Sequence, residues 1–242
     1  MKISVCLATY NGQKFLADQL ASIVHQLQSG DEIVVADDGS SDRTVEIASS
    51  FAPWIRLIST TRVGGVVKNF ERTIAAANGD VIVLCDQDDV WLDGRVDAIR
   101  SACMSADLVL LNGQVVDAEL APRQNSVFQL VNMRSGFMPN LLKNSFIGCC
   151  MAFRRNIRDA IIPFPNGVPW HDWYIGLFAE ATGRVHRIDS ISMLYRRHGD
   201  NFSPTGEKSK NGLFKKILIR YQVARAVAIA VIRSRRMPSA AN

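Results

Sequence analysis

The sequence predicts an α/β fold with a mostly parallel central sheet, flanking helices and a C-terminal amphipathic helix. Short apolar runs alternate with helical patterns over about the first 110 residues, which is typical of βα units in a parallel sheet. Polar or acidic residues follow three of those runs, at 9–12, 37–41 and 86–91. Ligands bind outside the carboxyl ends of the strands in such sheets, so these segments predict one ligand site.

The elements of the first half follow from hydrophobic periodicity. Runs rich in Val, Ile and Leu predict strands, and apolar residues that recur every three or four positions predict helices. On this basis we expect strands at 3–8, 32–37, 54–59, 81–85 and 107–112, with helices near 16–27, 44–51 and 67–77.

The alternation fails after about residue 113. We expect irregular structure over 113–146, a strand over 148–153, a helix beginning near His171, and two short strands at 185–189 and 191–197. No linker-like composition separates the halves, so the sequence predicts one domain over 1–205. Its second half, 113–205, would form the other wall of a cleft against 1–112, and residues 206–242 would form a basic helical tail.

Composition excludes several classes of protein. Nine Lys or Arg and no acid lie between Lys208 and Arg236, which leaves 19 basic against 23 acidic residues elsewhere. A nucleic-acid binder would carry its basic patch on the folded domain, so we expect no nucleic-acid partner. No run approaches the roughly 18 apolar residues of a membrane span, and no signal peptide is recognisable. We therefore expect a cytoplasmic protein whose five cysteines are reduced and buried.

The strongest chemical signal is LCDQDDVW, in which Asp86, Asp88 and Asp89 follow a buried strand. Adjacent carboxylates repel one another, and a hard divalent cation with oxygen ligands offsets that repulsion. On a strand end Asp86 and Asp88 would share a face while Gln87 points away. We therefore predict a Mn²⁺ or Mg²⁺ site. The alternative is an acidic turn that caps a helix beginning near Trp91.

Two further carboxylate motifs follow. In VVADDGSSD, Asp37 and Asp38 end a strand, where a carboxylate can accept hydrogen bonds from a nucleotide base or ribose. In PWHDWY, Asp172 lies among aromatic residues, as expected of a general base in a sugar-binding cleft. The alternative for each is local: a turn with a helix cap in the first motif, and a helix N-cap in the second.

Taken together, the motifs resemble the family 2 glycosyltransferases, which have the GT-A fold. The resemblance runs from Ser4 to about Ser203 through SVCLATYNG, DEIVVADDGSSDRT, GGVVKNFE, LCDQDDVW, GCCMAFRR, HDWY and YRRHGDN, in the family's order. It implies an inverting, metal-dependent transfer of a sugar from a nucleotide-sugar, bound by 1–112, to an acceptor hydroxyl bound by 113–205.

The resemblance also implies a role for each matching residue. Asp172 would be the catalytic base. Asp88 would be the main metal ligand, helped by Asp86 and His198. The donor would be bound by Thr9, Tyr10, Asp38, Lys68, Asn69, Asp86 and Arg197. The acceptor side would include Asp89, Trp170, His171 and Trp173.

Within the family, KNFER, DQDDVW, HDWY and YRRHG most resemble bacterial O-antigen and capsule enzymes, including rhamnosyltransferases. This implies dTDP-L-rhamnose as first donor, with UDP-hexoses as the alternative, and a glycan or lipid-linked glycan as acceptor in the synthesis of lipopolysaccharide or another surface polysaccharide. A catalytically inactive carbohydrate-binding scaffold is the non-enzyme alternative. A nicotinamide dehydrogenase is disfavoured because no GxGxxG follows the first strand.

The tail carries an apolar stripe at helical spacing, flanked by Lys and Arg. The stripe comprises Leu213, Phe214, Ile217, Leu218, Tyr221, Ala224, Val227, Ala228 and Val231. A basic amphipathic helix can lie on an anionic membrane surface, which would place the protein peripherally on the inner face of the cytoplasmic membrane. The alternative is a helix packed on the domain or on a second subunit.

Overall fold

The computed structural model describes residues 1–199 and 212–236, whose strands form one nine-stranded sheet. The strands are β1 Ile3–Thr9, β2 Glu32–Asp37, β3 Ile55–Ser59, β4 Val81–Cys85, β5 Val90–Trp91, β6 Leu108–Val116, β7 Pro122–Gln124, β8 Met151–Arg154 and β9 Val185–Arg196. The helices are α1 Leu16–Val24, α2 Thr44–Ser49, α3 Val66–Ala76, α4 Arg95–Ala102, α5 Val127–Val131, α6 Phe137–Leu142, α7 Arg155–Ile161, α8 His171–Thr182 and α9 Leu213–Arg236.

The first half supplies the parallel part of the sheet, in the order β3-β2-β1-β4. Strands β1, β2 and β4 are buried along almost their whole length, because helices cover both faces of a parallel sheet. Thr9 and Asp37 lie side by side at the carboxyl ends of β1 and β2. The predicted βα units are confirmed, and their loops meet at one edge.

The second half continues the same sheet with strands of both directions. Strand β8 pairs antiparallel with β4 and with β6, and β9 pairs parallel with β6 and antiparallel with β5. The sheet therefore crosses from the first half into the second without a break. The predicted boundary between 205 and 206, and Asp200 and Asn201 of the YRRHGDN motif, lie outside the described residues.

Four sequence predictions are wrong in detail. The two strands expected at 185–197 are one strand, because β9 pairs along β6 and absorbs two register shifts near Asn112. The segment 148–153 begins as a 3-10 turn, Gly148–Cys150, before β8. Trp91, near which a helix could have begun, lies in β5 and pairs with Met193 of β9, and the helix α4 starts only at Arg95. Residues 113–146 are not irregular, since they contain the end of β6, β7, α5 and α6.

Two hydrophobic cores form, and the helices of the second half close one of them. Residues Val223, Ala226, Val227 and Ala230 of α9 are buried in the core that also contains apolar residues of α7 and α8. All five cysteines are buried, as predicted, and none of them forms a disulfide in the structure. Among the described residues, no helix combines the length and apolar character needed to span a bilayer.

Candidate active site

Asp37 holds the loop that follows β2. Its carboxylate is buried and accepts hydrogen bonds from Thr9 Oγ1 at 2.8 Å, Gly39 N at 3.0 Å, and Ser40 N and Oγ at 2.7 and 2.5 Å. The donors come from the end of β1 and from the turn between β2 and α2. Asp37 therefore fixes the relative position of the β1 and β2 loops. Thr9, expected at the donor pocket, contributes its hydroxyl to this network.

Asp38 organises the loop before α3. It accepts hydrogen bonds from the backbone N–H groups of Val63, Gly64 (3.1 Å) and Gly65 (2.9 Å). Burial opposes its ionisation, but these three donors hold the pKa of Asp38 below its usual value. Gly64 and Gly65 have φ of +76° and +145°, which side chains rarely adopt. The predicted base-binding carboxylate thus also shapes the wall of the pocket.

The KNFER segment lies behind this loop. Asn69 is buried, and its Nδ2 donates to Thr9 O at 3.2 Å and Ala36 O at 2.9 Å. Arg72 donates to Asn69 Oδ1 at 2.5 Å and to Asp37 O at 3.1 Å. Asn69 therefore joins α3 to the carboxyl ends of β1 and β2. Arg72 was not predicted from sequence, although its i+3 spacing from Asn69 on a helix places both on one face.

Lys68 lies on the accessible side of the same helix. It lines a cavity of about 380 Å³ together with Gly65, Glu71, Phe164 and Trp170, among others. The cavity is bounded by the loop that Asp38 anchors and by the segment that precedes α8. Residues expected on the donor side and on the acceptor side thus meet at one cavity.

Gln87 joins the first loop to the acidic loop. Its Oε1 accepts from Tyr10 N at 2.9 Å, and its Nε2 donates to Tyr10 O at 3.0 Å. A Cβ atom at Gly12 would lie 2.4 Å from Gln87 Oε1, so only glycine leaves room for this clamp. The side chain expected to point away therefore holds Tyr10, whose own ring is 46% exposed, against the acidic motif.

Asp86, Asp89 and Cys149 form a compact cluster behind the acidic loop. Their potential ligand atoms all lie within 4.8 Å of one another. Burial and the charge of Asp88 raise the pKa of Asp86 to about 7, and the same causes raise that of Asp89 well above its usual value. Burial and its neighbours also raise the pKa of the Cys149 thiol. The cluster therefore needs protons or a cation.

The residue types fit a hard divalent cation. Cys149 remains a neutral thiol, which leaves carboxylate oxygens as the charged ligands, as Mg²⁺ and Mn²⁺ prefer. Asp89, expected on the acceptor side, is instead fully buried, and its Oδ1 accepts from Arg196 N at 3.0 Å. The structure thus groups Asp86 with Asp89 and Cys149, a connection that was not predicted from sequence, whereas Asp88 lies against His198.

Asp88 interacts with the end of β9. Its Oδ2 lies 2.9 Å from His198 Nε2, and the His198 ring packs on Phe15 at 4.7 Å between centroids. Two of the three predicted metal ligands, Asp88 and His198, are therefore brought together. The neighbouring Arg197, expected to contact the donor, donates its backbone N–H to Val116 O at 2.8 Å.

Arg196, like Arg72 and Cys149, was not predicted from sequence as a residue of the site. Its guanidinium is buried, donates from Nε to Asp88 O and from Nη1 to Ala118 O at 2.8 Å each, and stacks over Phe15. Together with its backbone bond to Asp89, these contacts fix the acidic loop against β9. The signal available in the sequence was only a basic residue near His198.

Asp172 lies in the first turn of α8, which begins at His171 as predicted, and Trp170 rather than Asp172 is the N-cap residue. Burial raises its pKa to about 7, although the backbone N–H of Trp173, at 2.6 Å, favours the charged form. The charge of Asp172 also raises the pKa of Asp86. The predicted base is therefore electrostatically coupled to the predicted metal site.

Only one of the aromatic residues around Asp172 is accessible. Trp173 is buried and donates from Nε1 to Asn140 O at 2.8 Å, and the buried Tyr174 donates to Ile161 O at 3.1 Å. His171 is buried against Phe70, with ring centroids 4.2 Å apart, and burial lowers its pKa to about 3. The remaining aromatic residue, Trp170, is partly buried and lines the cavity.

Comparison with known proteins points to one family. A sequence model described as Glycosyl transferase family 2 matches residues 4–162. The dTDP-rhamnosyl transferase RfbG of Shigella flexneri is 27% identical over 240 residues, which cover 90% of this chain and 82% of RfbG. The match to RfbG and to two other curated relatives, each 27% identical to this chain, spans between 66% and 82% of the length of those relatives.

Two solved structures share the fold. The structure of S. aureus TarS residues 1–349 in complex with UDP-GlcNAc superposes with a TM-score of 0.70 at 18% identity, covering 96% of this chain and 67% of that one. The mannosyltransferase PcManGT of Pyrobaculum calidifontis, in complex with GDP-Man and Mn²⁺, gives 0.62 at 16% identity, covering 99% and 76%. Both likenesses extend over almost the entire chain.

Proposed function

The chain belongs to glycosyl transferase family 2 and is a glycosyltransferase, and we propose that it is an inverting, metal-dependent enzyme in which Asp172 is the catalytic base. One observation carries the proposal: Asp172 lies close enough to Asp86 for its charge to raise the pKa of Asp86, and burial raises the pKa of Asp172 itself to about 7. A general base works best when its pKa is near the operating pH.

Asp172 performs the proton transfer in this mechanism. The acceptor hydroxyl lies against the carboxylate and loses its proton to it as the hydroxyl oxygen attacks the anomeric carbon. The bond to the nucleoside diphosphate breaks on the opposite face, which inverts the configuration. The N–H of Trp173 holds the carboxylate in place, and the buried, neutral His171 adds no charge beside it.

Asp86, Asp88 and His198 would hold Mn²⁺ or Mg²⁺, which would supply Lewis-acid stabilisation of the diphosphate leaving group. The support is the raised pKa of the neighbouring carboxyls Asp86 and Asp89, the 2.9 Å distance between Asp88 Oδ2 and His198 Nε2, and the Mn²⁺ in the complex of PcManGT. Asp89 and Arg196 hold these ligands from inside through the Arg196 contacts to Asp88 O and Asp89 Oδ1.

The donor is assigned to the first half, 1–112, and the acceptor to 113–205. Tyr10 and Asp38 would contact the base, while Lys68 and Arg197 would lie near the diphosphate. Thr9 and Asn69 would support that pocket through the hydrogen bonds described above. Trp170 would provide the sugar-stacking surface, and His171 and Trp173 would shape the wall behind it.

We assign dTDP-L-rhamnose as the first candidate donor and a UDP-hexose as the second. The support is the similarity to RfbG, described as a dTDP-rhamnosyl transferase, and more distantly to WfgD of Escherichia coli, described as a UDP-Glc-using glucosyltransferase acting on a diphosphoundecaprenol-linked sugar. A glycan or lipid-linked glycan acceptor would place the enzyme at the inner face of the cytoplasmic membrane, in surface polysaccharide synthesis.

The test is release of nucleoside diphosphate from a panel of dTDP-, UDP- and GDP-sugars with Mn²⁺ and a lipid extract as acceptor source. We expect turnover with one donor and a loss of at least roughly 100-fold in Asp172→Asn, since a general base contributes about 10²–10⁴. Asp97→Asn is the matched control, because Asp97 is an exposed acid in the first turn of α4. Equal activity of wild type and Asp172→Asn would refute the assignment, and donor binding without turnover in any condition would favour an inactive scaffold.

A further inference from the structure

The helix α9 presents two different faces. Its Val223, Ala226, Val227 and Ala230 are buried against the rest of the protein. The large side chains of its first half are exposed: Leu213 75%, Phe214 91%, Ile217 57%, Leu218 53% and Tyr221 64%. At about 3.6 residues per turn these two sets lie on roughly opposite sides of the helix. The apolar stripe expected from sequence is therefore not the packed face, apart from the buried Val227 and the partly buried Val231.

This exposed face is unusual within the molecule. Half of the large apolar side chains that are exposed in the described residues belong to α9, including Ile232 near its end. Monomeric proteins rarely leave such side chains together on one surface without a binding role. Within the described residues, this exposed apolar face of α9 is therefore a candidate binding surface.

The surface extends onto α6. Arg220 of α9 donates from Nε to Leu142 O at 2.9 Å, which ties the two helices together. Met138 and Leu142 of α6 are 58% and 57% exposed. We define the exposed residues Met138, Leu142, Leu213, Phe214, Ile217, Leu218 and Tyr221 as the α6–α9 surface.

Charge identifies the partner. From Leu213 to Arg236 the helix contains seven Lys or Arg and no acidic residue. Lys215 and Arg225 are exposed beside the apolar side chains. A symmetric dimer through this face would bring two such helices together, and like charges would repel. An anionic bilayer satisfies both features, since it accepts apolar side chains and attracts Lys and Arg.

The α6–α9 surface is also connected to the catalytic base. Helix α6 contacts α9 through Leu142, and its Asn140 O accepts the hydrogen bond from Trp173 Nε1 at 2.8 Å. Trp173 follows Asp172 directly. A bilayer bound to this surface would therefore contact α6, the helix whose Asn140 is hydrogen-bonded to the residue next to Asp172.

We propose that the α6–α9 surface docks on an anionic lipid bilayer, with the first half of α9 in the interface, and so presents the cleft beside Asp172 to a lipid-linked acceptor. The part that concerns the acceptor rests on the proposed function. The docking itself does not, because Phe214 and Leu218 belong to neither the donor site nor the acidic cluster.

The test is sedimentation of the full chain with vesicles of phosphatidylglycerol and phosphatidylcholine, and with vesicles of phosphatidylcholine alone. We expect binding to the anionic vesicles that weakens with salt, and a loss of at least about tenfold in partitioning for the double variant Phe214→Glu/Leu218→Glu. The matched control is Met104→Glu, since Met104 is 72% exposed and lies between α4 and β6. It should bind as wild type does.

Three outcomes would overturn the proposal: no binding of the wild type to anionic vesicles, unchanged binding of the double variant, or a wild-type dimer that the double variant dissociates while vesicles leave it intact. The last would show that a second copy covers the surface. Circular dichroism of each variant confirms folding. Titration of the same variants with nucleotides tests the proposed function separately, because the double variant should bind them as wild type does.

Discussion

Replacing Asp172 by Asn should stabilise the fold while it abolishes transfer. Burial raises the pKa of Asp172 from 3.8 to about 7, so the native state binds this proton more tightly than the unfolded chain does. A tenfold change in an acid dissociation constant corresponds to about 1.4 kcal/mol. The carboxylate therefore costs up to about 4 kcal/mol above pH 7, an upper limit because the residue is only partly shielded from solvent. Asn has the same shape and carries no charge.

The pH dependence distinguishes stabilisation by removal of the buried Asp172 charge from stabilisation by better packing of Asn. A raised native pKa means that stability from this group is present below about pH 4 and is lost as pH rises through 7. The difference between Asp172→Asn and wild type should thus be near zero at about pH 4 and grow to between about 1 and 4 kcal/mol at about pH 8.

Urea unfolding in EDTA at several pH values measures this difference, with Asp97→Asn as the control for loss of an acid from the first turn of a helix. The EDTA removes bound cations, which would otherwise discharge the neighbouring carboxylates. A difference that does not change with pH, or one that shrinks as the pH rises from about 5 to about 8, would refute the burial argument.

Three other changes probe the supports of the site. Gly176→Ala should destabilise the protein by about 1–3 kcal/mol, because its Cβ would lie 2.5 Å from the Phe146 ring; an unchanged midpoint of thermal unfolding would contradict the close packing. Arg196→Gln should weaken Mn²⁺ binding by at least about tenfold in calorimetry, since it removes the side-chain hydrogen bond to Asp88 O that holds the acidic loop and leaves buried partners unsatisfied; unaltered affinity would show that the loop is held otherwise. Asp38→Ala should lose nucleotide binding and become more sensitive to protease near Gly64, because three backbone donors lose their acceptor; wild-type cleavage would count against the loop-anchoring role.

The parallel half of the fold could be predicted because its strands are apolar throughout and its helices have clear periodicity. Trp91 shows where such reasoning fails: a two-residue strand has no period, and it exists only because it pairs with Met193 about a hundred residues later. Likewise, β9 is one continuous strand because it pairs with β6 along its length. The residues 185–197 contain no local pattern from which this pairing could be predicted.

The site divides in the same way. Asp86, Asp88 and Asp172 could be proposed from the sequence because acidic residues at strand or helix ends have a local signature and an ordered set of motifs around them. Cys149 and Arg196 could not, because their contacts with Asp89 join segments 60 and 107 residues apart. The α9 helix was predictable from its period, but its buried face was decided by packing against the domain.

The most direct test of the donor and metal sites is calorimetric titration of the purified protein with dTDP, UDP and GDP, each with and without Mn²⁺. We expect one nucleotide to bind only when Mn²⁺ is present. In Asp88→Ala, adding Mn²⁺ should no longer change the binding of that nucleotide, while the circular dichroism spectrum stays that of wild type. If no nucleotide binds under any metal condition, the assignment of the donor site to the loops around Asp38, Asp86 and Asp88 is wrong.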